Sequence, residues 1–284
     1  MAAELFAIIS AIFLACSGIS VRIALSKKSS PFTALLPFAA GTVLVWLLVI
    51  VTGYELPNRT GALFFILRGI LDPGIAPFLI YVALRKVGIV YTVPIIATYP
   101  LVSTTLSVIF LKENLTLFIA IGTLLIILGV ILLNYKHTRN IVHLKYILWV
   151  VAGTILIGIS TVITKFALNN SNTPVSGLAF SFTTGILLQI LIITILRKWK
   201  DLRMGWETSR LFFLSGVFVS IGFMFGFIAF SQGDVVIIGP LASTLPLFSL
   251  LLSRIFLKKY EIVTKNAIIG TVFIVIGAAI LTLI

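Results

Sequence analysis

Residues 83–113 read ALRKVGIVYTVPIIATYPLVSTTLSVIFLKE, and residues 229–261 read AFSQGDVVIIGPLASTLPLFSLLLSRIFLKKYE. At an offset of 146, Pro94 falls on Pro240, Pro100 on Pro246, and Phe110-Leu111-Lys112 on Phe256-Leu257-Lys258. After a two-residue insertion, Glu113 falls on Glu261, Gly122 on Gly270 and Gly129 on Gly277. A second set runs at an offset of 143: Ser17 with Ser160, Arg22 with Lys165, Ala24-Leu25 with Ala167-Leu168, and Pro31 with Pro174. One short match could be chance in apolar sequence. Colinear sets across both halves point to an internal duplication.

The surrounding composition says what is duplicated. Of 284 residues, 60% are hydrophobic and only 10% charged, with a mean hydropathy of +1.22. A soluble domain carries roughly a quarter charged residues, and apolar runs of about 20 residues read as membrane helices. Breaks in hydrophobicity give ten spans: 3–26, 32–52, 61–84, 88–111, 115–134, 145–168, 174–196, 209–230, 235–257 and 263–284. Five helices per copy is odd, so the second copy enters the membrane from the opposite side. The expected fold is an all-α polytopic membrane protein, ten transmembrane helices as two inverted five-helix repeats, 1–138 and 139–284. Inverted repeats are an architecture from which secondary transporters build alternating access.

Two prolines six residues apart are unusual inside a membrane helix. Proline removes a backbone donor and clashes with the preceding turn, so each ends or kinks a helix. In lipid the freed carbonyl needs another partner. Ser243 and Thr244 lie between Pro240 and Pro246; Thr98 lies between Pro94 and Pro100, with Ser103 to Thr105 beyond. These hydroxyls can serve as repair for the released carbonyls. Interrupted helices at matching places of inverted halves are also the pointer to a central binding site, and the symmetry favours that second account. The fourth and ninth spans are therefore expected to wall a cavity.

An Ala-Leu closing the third helix, a proline-bearing fourth helix, Phe-Leu-Lys-Glu and then a Gly-rich fifth helix together resemble the EamA domain. Two such domains are similar to a ten-helix member of the drug/metabolite transporter superfamily. The resemblance covers essentially the whole chain. It implies carriage of small organic solutes such as amino acids, other metabolites or drugs. The chain departs from common members where a first-helix tryptophan is usual: Leu14-Ala15 and Ile157-Gly158 stand there.

Arg68 and Asp72 sit four apart in the third span, ALFFILRGILDPGIAPFLIY, on one helical face where they can pair. Intramembrane charge is expensive and points by default to function, although a buried structural pair fits equally well. The second half carries Leu214 and Phe218 at the corresponding places, so the pair is asymmetric. Arg22 and Lys165 stand near helix ends, where snorkelling is the favoured account. Ser17 and Ser160 lie deeper; serine there permits close helix approach or lines a cavity. Among the aromatic residues, Tyr81, Tyr91 and the run Phe223, Phe225, Phe227, Phe230 are expected mostly against lipid or other helices. Tyr99, beside Pro100, needs a hydroxyl partner. The expected substrate-binding set is Ser17, Arg68, Asp72, Tyr81, Pro94, Thr98, Tyr99, Pro100, Ser103, Ser160, Pro240, Ser243, Thr244 and Pro246.

No phosphate loop, zinc-protease motif or nucleophile elbow occurs, so neither ATP-driven pumping nor hydrolysis is expected, and no cofactor or metal. Cys16, the lone cysteine, forms no disulfide framework. His137 and His143 fall near the junction between halves, away from any proton path. The net charge of +13 lies in short junctions rather than a nucleic-acid patch. Seventeen Lys or Arg flank odd-numbered junctions against three at even-numbered ones, which puts the termini outside. Relatives of this fold usually place both termini in the cytoplasm; the charge count is preferred. Expected partners are a small-molecule substrate and the bilayer, no nucleic acid, with a homodimer left open. The expected location is a plasma or inner membrane. A lipid-carrier flippase of the same fold is the alternative.

Overall fold

The computed structural model describes residues 2–25, 33, 35–87, 89–134, 144–202, 204–256 and 265–283. Pro31, His137, His143, the stretch Leu257 to Glu261 and the side chain of Arg22 lie outside the described set.

Among the described residues there are helices and no strand. In chain order they are α1 (Ala2–Leu25), α2 (Leu35–Thr52), α3 (Arg59–Gly69), a π-helical turn Ile70–Ile75, and α4 (Ala76–Val87). Then come α5 (Ile89–Ile96), α6 (Tyr99–Leu106) with a π-helical end Ser107–Leu111, and α7 (Leu117–Asn134). The remainder are α8 (Leu144–Asn170), α9 (Pro174–Ile195), a 3₁₀ turn Trp199–Leu202, α10 (Trp206–Gln232), α11 (Val235–Ala242), α12 (Leu245–Phe256) and α13 (Lys265–Thr282). Among the described residues, eight stretches are long and apolar enough to cross a membrane, with two shorter apolar ones at Leu117–Leu132 and Ile268–Thr282. All ten fall within or overlap the stretches expected from the sequence. Large apolar side chains such as Ile50, Val51, Leu117 and Phe118 are exposed, as suits a chain whose solvent is hydrocarbon.

Because lipid is as apolar as the side chains, helices here associate through close packing of small residues rather than a hydrophobic drive. The α7–α13 seam shows it. A Cβ on Gly122 would lie 3.1 Å from the Gly277 carbonyl, and one on Gly129 would lie 2.6 Å from that of Gly270. Rising numbers on one helix meet falling numbers on the other, so the pair is antiparallel. The seven-residue glycine spacing is this seam. The α1–α10 pair is antiparallel too, with Ser17 against Ser215, Leu14 against Gly222 and Ser10 against Gly226. Likewise α8 lies on α4 and α6, with Gly153 against Ile80 and Gly158 against Val102.

The turn between α10 and α11 is held by charge at both ends. Lys165 Nζ donates to the carbonyls of Phe230 and Gly233 at 3.0 and 2.9 Å, at the C-terminal end of α10. Glu113 accepts from the Val235 and Val236 amides at 2.9 and 3.0 Å, at the N-terminus of α11. Each charge sits where the helix dipole favours it and satisfies backbone groups that a helix end leaves open. Lys165 therefore caps a helix rather than snorkelling.

Candidate functional site

Asn58 starts α3 by accepting from the Gly61 amide at 2.7 Å. The helix then meets Pro73, which has no amide to donate. The backbone widens into the π turn, Asp72 leaves helical geometry at φ −146° and ψ 115°, and the Asp72–Pro73 peptide is cis. Helix α9 fits around this irregularity. Gln189 donates its amide to the Pro73 carbonyl, Ser181 Oγ bonds the Phe65 carbonyl at 2.9 Å, and Gly185 leaves space that the Pro73 ring fills. A polar turn at membrane depth is tolerated because the neighbouring helix satisfies it.

This turn positions a buried ion pair. Arg68 Nη2 and Asp72 Oδ2 lie 3.1 Å apart, and Arg68 is 3% exposed. The guanidinium carbon lies 5.0 Å from the Phe223 ring centroid and 5.1 Å from that of Phe227. Those two rings are one turn apart on α10, and cation–π attraction at such distances stabilises the charge. Arg68 Nε and Nη1 have no hydrogen-bond partner among the described residues.

Tyr99 joins the two broken spans. The fourth span breaks at residues 97–98, between α5 and α6, and the ninth breaks at 243–244, between α11 and α12. These breaks are 146 residues apart, the offset at which the prolines match. Pro100 and Pro246 each stand in the first turn of the following helix, where no amide is needed. Thr98 Oγ1 donates to the Ile95 carbonyl and Thr244 Oγ1 to that of Leu241, both at 2.7 Å and in the same register. Across the breaks, Tyr99 Oη donates to the Gly239 carbonyl at 2.8 Å.

The sequence-chosen residues therefore divide. Arg68 pairs with Asp72, and Tyr99 bonds the Gly239 carbonyl beside Pro240. Ser103 and Ser243 bond carbonyls of their own helices, those of Pro100 and Pro240, at 3.3 and 2.7 Å. Pro94 is half-buried inside α5, and Pro240 buried inside α11. Ser17 Oγ meets Ser215 Oγ at 2.7 Å, and Ser160 Oγ donates to the Ile157 carbonyl. Tyr81 packs beside Val21, Ala24 and Phe212. Four residues at the site or its frame were given no such role from the sequence: Phe223 and Phe227, expected against lipid or other helices, Glu113, seen only as a repeat match, and Gln189. For the rings a signal existed, since their spacing of four on one face matches what a buried guanidinium needs.

These features define a multi-pass helical membrane protein with a buried ion pair and two matched helix breaks. Residues 1–135 and 144–283 each match the EamA-like transporter family. The chain belongs to that family, and it is a membrane transporter by class. A crystal structure with 17% sequence identity superposes with a TM-score of 0.80, covering 99% of this chain and 96% of its own, which shows the shared fold. The uncharacterized protein MJ1333.1 of Methanocaldococcus jannaschii is 43% identical over 63 residues. That match takes in 22% of this chain and 46% of the relative, so the chain spans about half the length of the curated relative it matches.

Proposed function

We propose that the chain is a secondary transporter moving a small polar or amphipathic metabolite, an amino acid or related solute, by alternating access. Ten helices form two inverted repeats, 1–138 and 139–284, with the substrate between the first, third and fourth helices and the sixth, eighth and ninth. One observation carries this reading: the helix breaks at 97–98 and 243–244 match in position and in their repairing Thr98 and Thr244 bonds. Two matched broken helices give a pair of flexion points about one centre, where rocking of one repeat against the other exposes a site to either face. The antiparallel pairs α1–α10 and α7–α13 support it, each joining elements from different halves.

The protein sits in a plasma or inner membrane with odd-numbered junctions in the cytoplasm. Its substrate meets Arg68, Asp72 and Tyr99. Thermal stability of the purified protein against amino acids, organic acids, phosphorylated metabolites, nucleosides and cationic drugs tests the reading, since binding to the folded state raises apparent stability with concentration. A stabilising solute lost on Tyr99→Ala is the expected result. Stabilisation by lipid carriers alone would favour a flippase instead.

A further inference from the structure

The two halves are tied to each other at one end of α8. Glu113, at the close of the fourth span, accepts from the Val235 and Val236 amides that open the ninth. Ser176 Oγ, on the third residue of α9, donates to the Glu55 carbonyl at 2.7 Å, and Asn58 Nδ2 donates to the Asn170 carbonyl at 2.7 Å. Each of these bonds runs from a residue of 1–138 to one of 139–284. Lys165 shows that they share a face. Its Nζ bonds the carbonyl of Gly233, next but one to Val235, and Asn170 closes the same end of α8. The even-numbered junctions, 53–58, 112–116, 171–173 and 233–234, therefore meet there.

Rocking of one half against the other breaks a bond between halves and spares a bond within one. Glu113 makes the strongest of these ties, because a half-buried carboxylate sits on two amides at a helix N-terminus, where charge and dipole act together. Those amides are among the first of α11 and have no partner inside the helix. Val235 and Val236 are 0% and 1% exposed, so with the carboxylate withdrawn only entering water serves them, and water enters when that face opens. We propose that Glu113 is the gating residue of this face. Its carboxylate on α11 holds the face of the even-numbered junctions closed, and its release, with water taking the amides, opens it. The Ser176 and Asn58 bonds close the same face with less strength. This proposal rests on the transporter reading and states what controls one of its two openings.

The test uses the full chain carrying Cys16→Ala and Ser243→Cys, in sealed vesicles, where a membrane-impermeant maleimide labels the ninth-span break from a chosen face. Glu113→Ala is expected to speed labelling from the even-junction face about tenfold or more and not from the other, since losing a charged hydrogen bond tilts a two-state balance by that factor. Glu113→Gln, which keeps one acceptor oxygen, shifts the same rate less. Ser176→Ala, at a separate tie, shifts it about fivefold, the worth of one neutral bond. Lys165→Met is the control. Lys165 and α10 belong to one half, so its loss lowers thermal stability and leaves the ratio of the two rates unchanged. A merely structural cap at Glu113 would lower stability and raise labelling from both faces alike. If Glu113→Ala does not fold, Glu113→Gln and Ser176→Ala carry the decision. An equal rise on both faces, a rise on the odd-junction face alone, no change, or a Lys165→Met shift as large as that of Glu113→Ala overturns the gate and leaves the transporter standing. Labelling of the parent chain from one face alone, or from neither, overturns both.

Discussion

The third span and α10 lie 146 residues apart in the sequence pattern and meet the membrane in different ways. Where the third span has Arg68, Asp72 and Pro73, α10 has Leu214, Phe218 and Val219. The third span bends through a π turn and buries an ion pair. Helix α10 runs 27 residues unbroken, with Leu214 43% exposed and Phe218 against Phe13. The fourth and ninth spans, in contrast, break at matching residues and repair the break with matching threonines. The helix break thus occurs in both halves and the buried charge in one. Under the proposed transport reading, a moving part benefits from symmetry, whereas a site that grips one asymmetric solute does not.

The largest test of this contrast is to remove one charge. Asp72→Ala leaves Arg68 buried without its partner and is expected to cost about 3–5 kcal/mol, while Leu214→Ala, facing lipid, stays within about 0.5 kcal/mol. Unfolding of the purified protein in detergent measures both. Equal losses would erase the asymmetry. Replacing both Arg68 and Asp72 by Leu is expected to recover most of the stability, since the pair itself contributes little beyond its own desolvation.

Helix approach gives a second, smaller contrast. A Cβ on Gly69 runs into the Ser181 backbone, so Gly69→Ala forces α3 and α9 apart and costs about 1–3 kcal/mol. The corresponding Ser215 bonds the hydroxyl and the carbonyl of Ser17, and Ser215→Ala costs about 1 kcal/mol. The smallest effect tests sameness rather than difference. Thr98→Val and Thr244→Val each remove one 2.7 Å bond to a carbonyl three residues back, so their losses are expected to match at about 1 kcal/mol. Markedly unequal losses would show that the two breaks are not equivalent hinges.

Local pattern made much of this readable. Hydrophobic runs marked the helices, paired prolines marked the breaks, and spacing of four marked the Arg68–Asp72 pair. What the sequence hid depends on neighbours far along the chain. The hydroxyls of Ser17, Ser103, Ser243 and Thr244 each hydrogen-bond to protein, and no sequence pattern says whether a serine faces a void or a carbonyl. Phe223 and Phe227 look like any lipid-facing aromatics until Arg68 is placed against them. Gln189 answers the Pro73 carbonyl from 116 positions away, and Glu113 caps a helix 122 positions further on. Such contacts arise from packing across the two halves and leave no local trace.

Alternating access itself is open to a direct measurement that needs no knowledge of the substrate. Cys16 is the only cysteine, so Cys16→Ala gives a cysteine-free chain in which Ser243→Cys places one thiol at the ninth-span break. Ser243 is 4% exposed and stands at that break. A membrane-impermeant maleimide is added to sealed vesicles of either orientation. The account expects slow labelling from both faces, because the break opens to each in turn. Labelling from one face alone, or from neither, would contradict it.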